Sequence, residues 1–530
     1  MTDPLNDAAR RFFALPYLFP YQRLVISNLI EAAKAEGIPV RWPGGDPAET
    51  DKNGTFGDGD ENCRGVKSGG NDDGDEAGEG DESGESRGLG RQIVILPTGA
   101  GKSLCFQLPA MLMEGPTLVI YPILSLMADQ ERRLRERGFS PVLLRGGQSP
   151  QEREQIWEKL KSGRGKFIIA NPEVLLSPRV ENRLSEIRIV HTVIDEAHCV
   201  SEWGESFRPA YLEIHRILGK TGSPMVTAFT ATASAPVLER IEKYIFGGSA
   251  LNRIIGSPDR PNIEYRAQAC ILRDLAVRDL LLRNRRPGIV FCSSRSGTQK
   301  LARYLRNQFA GMGLPWAGEV RFYHAGLDRE EKKELEAWYL HNTEAVLVST
   351  CAFGLGVDKA DIRTVIHRDC PPSVEAYLQE SGRAGRDGKR SRAVLLWGPG
   401  DGERLKRLGP PERERMARLF QYAGDWRNCR REGLLKLLDY EGTGEKPEEG
   451  CCDVCAGESS PLLREEESLK DFFRRNRRLY TLEEAAGVLA GAETVRWSVG
   501  EAKEAIRGLL QGGTLKTLSI PFWKNKITLA

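Results

Sequence analysis

Short apolar runs, each followed by an amphipathic segment, recur along the first half of the chain and constrain its fold more than any other feature. The run RQIVIL leads into PTGAGKSLCFQLPAML, and PTLVIYP leads into ILSLMADQERRLRERG. GKFIIAN, HTVIDEA and MVTAFTATA follow at similar spacing. Apolar strands that alternate with helices are typical of a parallel sheet covered on both faces. The pattern therefore predicts an α/β fold.

A second series of apolar runs begins near residue 259 and comprises PGIVFCSS, VRFYHAG, AVLVST, TVIHRD and RAVLLW. Two parallel-sheet units in tandem are therefore predicted, residues 1–258 and 259–402. Segment 403–458 is predicted to be helical and to end in a cysteine cluster. Residues 459–530 combine helical stretches around 464–477, 482–490 and 498–511 with two β-like runs, TLKTLSI and KITLA. This order fits a small winged-helix-like unit, although periodicity alone also fits other small α+β units.

Charge is distributed unevenly along the chain. The 76 Lys and Arg and 74 Asp and Glu give a net charge of +2. Residues 44–90 hold 14 Gly, 14 Asp and Glu and only 4 Lys and Arg, a net charge of −10, while the remaining 72 basic and 60 acidic residues give +12. Residues 44–90 offer little apolar surface to offset the entropy of ordering, so we predict disorder. A solvated loop and an acidic segment that competes with nucleic acid for a basic groove both stay open.

The N-terminus and the cysteines indicate the cellular compartment of the protein. MTDPLNDAARRFF lacks the apolar region of a secretory signal. No apolar run approaches the ~18 residues that span a bilayer. The 11 cysteines are odd in number and widely scattered, which favours a reducing compartment. We therefore expect a cytoplasmic protein with no membrane partner, lying at the nucleoid in a bacterium or in the nucleus of a eukaryote.

A glycine-rich loop, ILPTGAGKS at residues 95–103, follows a predicted strand and precedes a predicted helix. Its glycines allow successive backbone N–H groups to face a phosphate, its lysine can reach the β- and γ-phosphates, and its serine can ligate Mg²⁺. The usual pattern has a glycine at position 96, where this chain has Leu96, so a chance glycine turn stays open on this segment alone. The candidate phosphate-binding residues are Thr98, Gly99, Gly101, Lys102 and Ser103.

The segment VIDEAH at 193–198 adds two carboxylates at the end of another strand. Asp195 is placed to hold Mg²⁺ through water, and Glu196 to orient or deprotonate an attacking water. Gln22, in LFPYQRLVI, carries an amide that can pair with the N6/N7 edge of adenine. Together with the glycine-rich loop, these residues predict a nucleotide-hydrolysing site with ATP and Mg²⁺ as cofactors.

A family resemblance follows from DEAHCVSEWGESFRPAY at 195–211 and the motifs around it. Over about residues 10–458 the chain resembles the RecQ family of DNA helicases in helicase superfamily 2. The matching motifs occur in order along the chain: YQ at 21–22, PTGAGKSLCFQLPA at 97–110, YPILSLMADQ at 121–130, ANPEVLL at 170–176, FTATA at 229–233, IVFCSSR at 289–295, YHAGL at 323–327, STCAFGLGVDKADIRTVIH at 349–367 and QESGRAGRDG at 379–388.

The resemblance implies two RecA-like domains with ATP in the cleft between them. Lys102, Ser103, Asp195 and Glu196 take the roles already argued, and Gln22 reads the adenine. Arg386 resembles the arginine finger that stabilises charge on the transferring phosphate, with Arg383 in support.

The resemblance also implies contacts with single-stranded DNA. Trp203 and Phe207 offer stacking faces and Arg208 adds charge, while Ser125 and Thr350 match positions that touch the DNA backbone. The chain departs from the family at Glu205 and Ser206, where His and Asp are common, which puts the coupling of DNA binding to hydrolysis in doubt. For the two aromatics the alternative is a place in the core, and for Ser125 and Thr350 it is a helix-capping or turn hydroxyl.

Four cysteines crowd into positions 429–455 and are candidate Zn²⁺ ligands. The family has one cysteine followed by a C-x-x-C-x-x-C run. This chain has Glu449 where the first cysteine of that run belongs, and its nearest cysteine is out of register by two, so Glu449 stays open as the alternative fourth ligand. Buried free cysteines are the other interpretation. The predicted zinc ligands are Cys429, Cys451, Cys452 and Cys455.

The resemblance implies an ATP-dependent DNA helicase that moves 3′ to 5′ on single strands and unwinds duplexes in repair or recombination. Single-stranded and forked DNA are the expected substrates, and single-strand-binding or repair proteins are candidate partners. Two alternatives are an RNA helicase of the DEAD/DEAH type and a DNA-binding scaffold that uses ATP as a switch without separating strands.

Overall fold

The computed structural model of the chain describes residues 3–43, 90–97, 99–202, 208–231, 233–353, 359–440, 447, 450–492 and 497–530. The predicted disordered segment lies outside these residues, apart from Gly90. Gly90 is buried, and its carbonyl accepts a hydrogen bond from the amide of Val226. The predicted segment is therefore one residue too long at this end.

The chain divides into two compact units. The first comprises Met1–Pro258 with Leu438–Gly442, and the second comprises Asp259–Leu437 with Thr443–Ala530. The finer division of the second unit at residues 402 and 458 stays a prediction. None of the described helices is both long and apolar enough to cross a bilayer.

The first unit is built on a seven-stranded parallel sheet with the order β3-β4-β2-β5-β6-β1-β7. Four of the inner strands are buried along their whole length, as expected for a sheet covered on both faces. The strands are β1 (Arg91–Ile95), β2 (Thr117–Ile120), β3 (Val142–Leu144), β4 (Phe167–Ala170), β5 (His191–Ile194), β6 (Met225–Thr230) and β7 (Asn252–Ile255).

Helices flank this sheet and form a separate apolar core on each face, with Val94 in one core and Ile93 and Ile95 in the other. Two short helices of other types occur at Pro209–Glu213 and Glu242–Phe246. The α-helices of the first unit are α1 (Pro4–Phe13), α2 (Pro20–Ala35), α3 (Lys102–Leu112), α4 (Leu124–Glu136), α5 (Pro150–Lys161), α6 (Pro172–Leu175), α7 (Pro178–Leu184), α8 (Cys199–Glu202), α9 (Ile214–Thr221) and α10 (Ala235–Ile241).

The second unit contains a six-stranded parallel sheet with the order β10-β11-β9-β12-β13-β8. Its strands are β8 (Ile263–Ala269), β9 (Gly288–Phe291), β10 (Val320–Tyr323), β11 (Val346–Ser349), β12 (Thr364–His367) and β13 (Ser391–Trp397). The accompanying helices are α11 (Arg273–Arg283), α12 (Arg295–Gly311), a 3-10 helix (Ala317–Glu319), α13 (Arg329–His341) and α14 (Val374–Ser381). The predicted pair of RecA-like parallel-sheet domains is thus confirmed.

Helices follow the second sheet, as the sequence predicts: α15 (Pro399–Lys406), α16 (Pro410–Gly424) and α17 (Arg430–Leu437) precede the cysteine cluster. The C-terminal segment then has α18 (Glu466–Arg475), α19 (Leu482–Ala490) and α20 (Val499–Gln511). Strands β14 (Leu515–Thr517) and β15 (Ile527–Leu529) pair antiparallel, and a 3-10 helix (Pro521–Trp523) lies between them. Three helices with a terminal hairpin match the order predicted for a winged-helix-like unit.

Candidate ATP site and cysteine cluster

Parallel register brings the candidate catalytic residues of the first unit to one edge of its sheet. Ile95 pairs with Thr230 across β1 and β6, and Ile120 pairs with Ile194 across β2 and β5. Because the carboxyl ends of these strands meet at the same edge, the glycine-rich loop after β1 and the carboxylates after β5 become neighbours. Ligands of open parallel sheets bind at this edge.

The glycine-rich loop has the backbone that its glycines predict. Gly99 and Gly101 have φ angles of 89° and 76°, in the left-handed region that favours glycine. Gly101 lies at the N-cap of α3, so Lys102 and Ser103 occupy the first turn of that helix. Backbone N–H groups of such a turn are suited to an anion. Thr98 lies outside the described residues.

Gln22 is held directly against this loop. It is buried in the first turn of α2, where its Nε2 donates to the carbonyl of Ala100 at 2.9 Å and its Oε1 accepts from the amide of Phe19 at 3.0 Å. A Cβ added to Gly101 would lie 2.6 Å from Gln22 Nε2. One N–H and one oxygen lone pair of the amide are left for a ligand. The structure thus places the predicted adenine-binding residue beside the predicted phosphate-binding residues.

Lys102 and the two predicted catalytic carboxylates form a compact charged group. Lys102 Nζ lies 3.9 Å from Glu196 Oε1, and both side chains are mostly buried. Asp195 Oδ1 accepts a hydrogen bond of 3.0 Å from the Glu196 amide. Glu196 has a φ of 51°, which is uncommon for a non-glycine residue. The arrangement joins a cation, a buried carboxylate and a candidate general base.

Burial, together with the neighbouring Glu196 carboxylate, raises the pKa of Asp195 to about 6, although the Lys102 ammonium partly opposes this shift. A carboxylate in this position is stabilised by a nearby cation. The charge of Asp195 therefore suits Mg²⁺, an ion that prefers oxygen ligands. Ser103 is half-buried in the first turn of α3 and offers a hydroxyl.

His198 and Thr230 join the site without having been singled out from the sequence. His198 Nδ1 lies 3.1 Å from Thr230 Oγ1 and 3.4 Å from Glu196 Oε2. His198 is buried, and Thr230 ends β6. The histidine therefore connects the candidate general base to a neighbouring strand end. The signal for this contact was present, because His198 closes VIDEAH and Thr230 lies in FTATA.

The candidate arginines lie in the second unit, in the turns that follow α14. Arg383 is buried at 5% exposure, and Arg386 is half-buried. Glu380, in the last turn of α14, approaches the buried His367 with a distance of 2.9 Å between Oε2 and Nε2. The two arginines are thus carried by a loop that begins on a well-anchored helix.

Three of the five candidate DNA-binding residues lie within the described part of the chain. Ser125 is exposed in the first turn of α4. Thr350 follows β11 and its hydroxyl accepts a hydrogen bond from the Ala352 amide at 3.3 Å. Arg208 Nε lies 3.7 Å from Glu173 Oε1. Trp203 and Phe207 lie outside the described residues, as do Glu205 and Ser206.

The four C-terminal cysteines come together in one cluster. Their sulfur atoms all lie within 4.8 Å of one another, with Cys429 Sγ 3.6 Å from Cys451 Sγ and 3.9 Å from Cys452 Sγ. Cys455 is the exposed member, and its amide donates to Cys452 Sγ at 3.4 Å. This group could hold a metal ion. Glu449, the alternative ligand, lies outside the described residues.

The thiols of this cluster differ in pKa. A hydrogen bond with Cys429 and burial raise the pKa of Cys452 to about 12, and the same hydrogen bond lowers the pKa of Cys429. Burial raises the pKa of Cys451, which a hydrogen bond from Arg431 partly offsets. Because metal ligation needs thiolates, a metal that binds here must displace protons.

Comparison with known proteins gives two family matches, a DEAD/DEAH box helicase model over residues 88–241 and a helicase conserved C-terminal domain model over residues 271–388. The chain is 35% identical over 372 residues to the ATP-dependent DNA helicase RecQ of Pasteurella multocida, covering 68% of this chain and 57% of that protein. It is 40% identical over 317 residues to the probable ATP-dependent DNA helicase RecS of Bacillus subtilis, covering 59% of this chain and 62% of that protein.

This chain belongs to the RecQ family of helicase superfamily 2. The matches span about three fifths of the length of these curated relatives. A solved structure of the DUF1998 helicase MrfA bound to DNA and AMPPNP resembles the chain with a TM-score of 0.52 at 19% identity, covering 79% of this chain and 52% of that one. This likeness shows that the RecQ-family chain shares the helicase fold.

Proposed function

We propose that this RecQ-family chain is an ATP-dependent DNA helicase that translocates 3′ to 5′ on single-stranded DNA and unwinds duplex DNA in repair or recombination. The observation that carries the proposal is the charged group at the carboxyl edge of the first sheet, in which Lys102 Nζ lies 3.9 Å from Glu196 Oε1 and beside the buried Asp195. A lysine on a glycine-rich loop, next to paired carboxylates, is the arrangement that phosphoryl transfer requires.

In the proposal, ATP is the nucleotide. Residues of this chain bind its phosphates, orient its base and activate the attacking water. The backbone at Gly99 and Gly101 and the Lys102 ammonium bind the phosphates, while Gln22 orients the base. Ser103 and Asp195 hold Mg²⁺, which supplies charge neutralisation when it is bound. Glu196 accepts the proton of the attacking water, and His198 keeps that carboxylate in place.

Arg386 takes the role of the residue that stabilises charge on the transferring phosphate, with Arg383 in support. DNA is bound by Trp203, Phe207, Arg208, Ser125 and Thr350, and ATP-driven changes move the chain along the strand. The proposed substrate implies that the protein works in the cytoplasm at the nucleoid, or in a nucleus.

The cysteine cluster is proposed to hold Zn²⁺. Zinc–sulfur bonds of about 2.3 Å in a tetrahedron place the sulfur atoms about 3.8 Å apart. The separations of 3.6 Å and 3.9 Å from Cys429 Sγ fit that spacing, and all four sulfur atoms lie within 4.8 Å of one another. Cys429, Cys451, Cys452 and Cys455 are therefore the proposed ligands, and the metal would contribute folding energy to the region around them.

The proposal predicts that single-stranded DNA stimulates ATP hydrolysis and that Lys102→Ala abolishes it while DNA binding is retained. A suitable control is Lys161→Ala, because this lysine is 61% exposed and lies on α5 away from the loop. Steady-state ATPase assays with DNA or RNA strands of equal length make the measurement. Unchanged hydrolysis in the Lys102 variant would overturn the assignment, and stronger stimulation by RNA would favour the RNA helicase.

A further inference from the structure

A four-residue segment of the second unit, Asp259 to Asn262, connects two parts of the chain that are far apart in sequence. It precedes β8, the edge strand of the second sheet. Its side chains reach the loop at residues 382–389, which carries Arg383 and Arg386, and also the helix that begins beside Cys429. We call residues 259–262 the connecting segment and residues 382–389 the arginine loop.

Arg260 holds the backbone of the arginine loop at three points. Its guanidinium donates to the carbonyls of Gly382 at 3.0 Å, Ala384 at 3.1 Å and Gly385 at 2.9 Å. Burial and the positive charge of Arg386 lower the pKa of Arg260. Three carbonyl dipoles stabilise the charge of Arg260 in this position. A planar donor fork suits this task better than an ammonium would.

Asn262 holds the same loop from a second direction. Its Nδ2 donates to the carbonyls of Gly385 at 2.8 Å and Lys389 at 3.0 Å. Gly385 has a φ of 54°, and a Cβ there would lie 2.6 Å from Asn262 Nδ2 and 2.5 Å from the Lys389 carbonyl oxygen. Only glycine fits between the loop and Asn262. The arginine loop is therefore packed directly on the connecting segment.

The other end of the connecting segment is fixed at the cysteine cluster. Asp259 forms an ion pair with Arg431, and these side chains are 7% and 1% exposed. Arg431 also donates to the Ile263 carbonyl at 2.8 Å. Next to this pair, the Tyr265 amide donates to the Cys451 carbonyl at 3.3 Å. A buried ion pair of this kind is costly to break on one side only, so it favours one fixed arrangement.

We propose that the connecting segment positions Arg386 by fixing the arginine loop to the cysteine cluster, with Arg260 and Asn262 as positioning residues for ATP hydrolysis. The role of Arg386 itself rests on the proposed function. The fixing of the loop does not, because it depends only on contacts within the second unit. Arg260, Asn262 and Asp259 act through Arg386 and contact no substrate in this proposal.

Hydrogen exchange tests whether the loop is fixed, independently of any enzymatic activity. In Arg260→Gln, the peptide that covers residues 382–390 is expected to exchange about tenfold faster, because the loop loses the donor of its carbonyls and opens more often, which exposes amides such as that of Gly385, now bonded to the Ile362 carbonyl. Arg392→Gln is the control, since Arg392 is bonded to Glu264 and Asn284 in the same unit. Equal exchange in Arg260→Gln and wild type would overturn the proposal. Unchanged exchange in Asp259→Asn would overturn the connection to the cysteine cluster.

ATPase kinetics test whether the fixed loop serves Arg386. Arg260→Gln is expected to lower kcat about 10- to 100-fold and to leave the KM for ATP unchanged, with partial recovery in Arg260→Lys. When Arg260→Gln is added to Arg386→Ala, no further loss is expected, because both changes remove the same contribution. Losses that multiply would overturn the positioning role. If the wild-type chain hydrolyses no ATP, the proposed function fails, and the exchange experiment still decides whether the loop is fixed.

Discussion

Single residues show how far the chemistry of the ATP site follows from local sequence. Lys102, Asp195 and Glu196 were predicted from short motifs, and the structure brings them together because parallel strands end at one edge. Arg260 and Asn262 were not predicted, although their contacts are equally specific. They bond to backbone carbonyls more than 120 residues away. Such acceptors leave no side-chain signature in the sequence.

Asp195 gives a prediction about pH and stability. Its pKa is raised from 3.8 to about 6 in the folded state, so the folded chain binds a proton more tightly than the unfolded chain does. The free energy of unfolding therefore falls as the pH rises from about 4 to about 6, and the cost of the buried charge persists above that range. Asp195→Asn removes this cost.

Without nucleotide or Mg²⁺, Asp195→Asn is thus expected to melt several degrees higher than wild type at pH 7.5, with a smaller difference at pH 5. Thermal unfolding at the two pH values measures both. Asp7→Asn, at a half-exposed position of the first unit, should change the melting temperature little. A variant that melts at or below the wild-type temperature at pH 7.5 would contradict the buried-charge account.

At the scale of elements, apolar runs predicted the central strands of both sheets, whereas three edge strands were missed. Strand β8, with the sequence IEYRAQA, is buried at only three of its seven positions. Strand β3 has only three residues, and β7, with the sequence NRII, is only partly buried. Edge strands pack against fewer neighbours, so their sequences need fewer apolar residues and give weaker patterns. The three C-terminal helices were predicted within about two residues, because each has a clear amphipathic pattern.

The junction of β1 and α3 depends on one glycine. Gly101→Ala places a Cβ 2.6 Å from Gln22 Nε2 at a φ of 76°, so the loop or the glutamine must move. We expect nucleotide binding to be lost while the fold is kept. Gly138→Ala is the matched control, because its φ is 80° and nothing lies within 4 Å of the added Cβ. Titration of an ATP analogue measures the difference. Equal affinities in the two variants would show that the contact with Gln22 does not matter.

The segment that carries the cysteine cluster lies along the open edge of the second sheet. Cys452 forms a parallel bridge with Tyr265 of β8. A buried ion pair of 3.0 Å between Asp453 and Arg430 joins the same segment to α17. This arrangement covers backbone groups that an edge strand would otherwise expose. The cluster was predicted from cysteine density, but its contact with β8 was not, since no motif joins the two segments.

Metal analysis of the purified chain is expected to find about one zinc per chain. Cys452→Ser should lower that content strongly and destabilise the second unit, because the metal contributes to its folding. Cys351→Ser serves as the control, since this cysteine is exposed and outside the cluster. Absence of zinc from the wild type, or an undiminished zinc content in Cys452→Ser, would refute the metal site.

For the whole molecule, the sequence predicted two RecA-like units in tandem, and the structure confirms both sheets. The net charge of +2 is a poor guide to partners, because residues 44–90 carry −10 and the rest carries +12. The basic remainder fits salt-dependent contacts with phosphates.

Strand displacement tests most directly whether the whole molecule couples ATP hydrolysis to unwinding. A labelled forked DNA is incubated with the wild-type chain or with Lys102→Ala, with and without ATP. Only the wild type with ATP is expected to release the labelled strand. If the wild type hydrolyses ATP without releasing the strand, the proposed helicase activity is contradicted. That result would favour a DNA-binding scaffold that uses ATP as a switch.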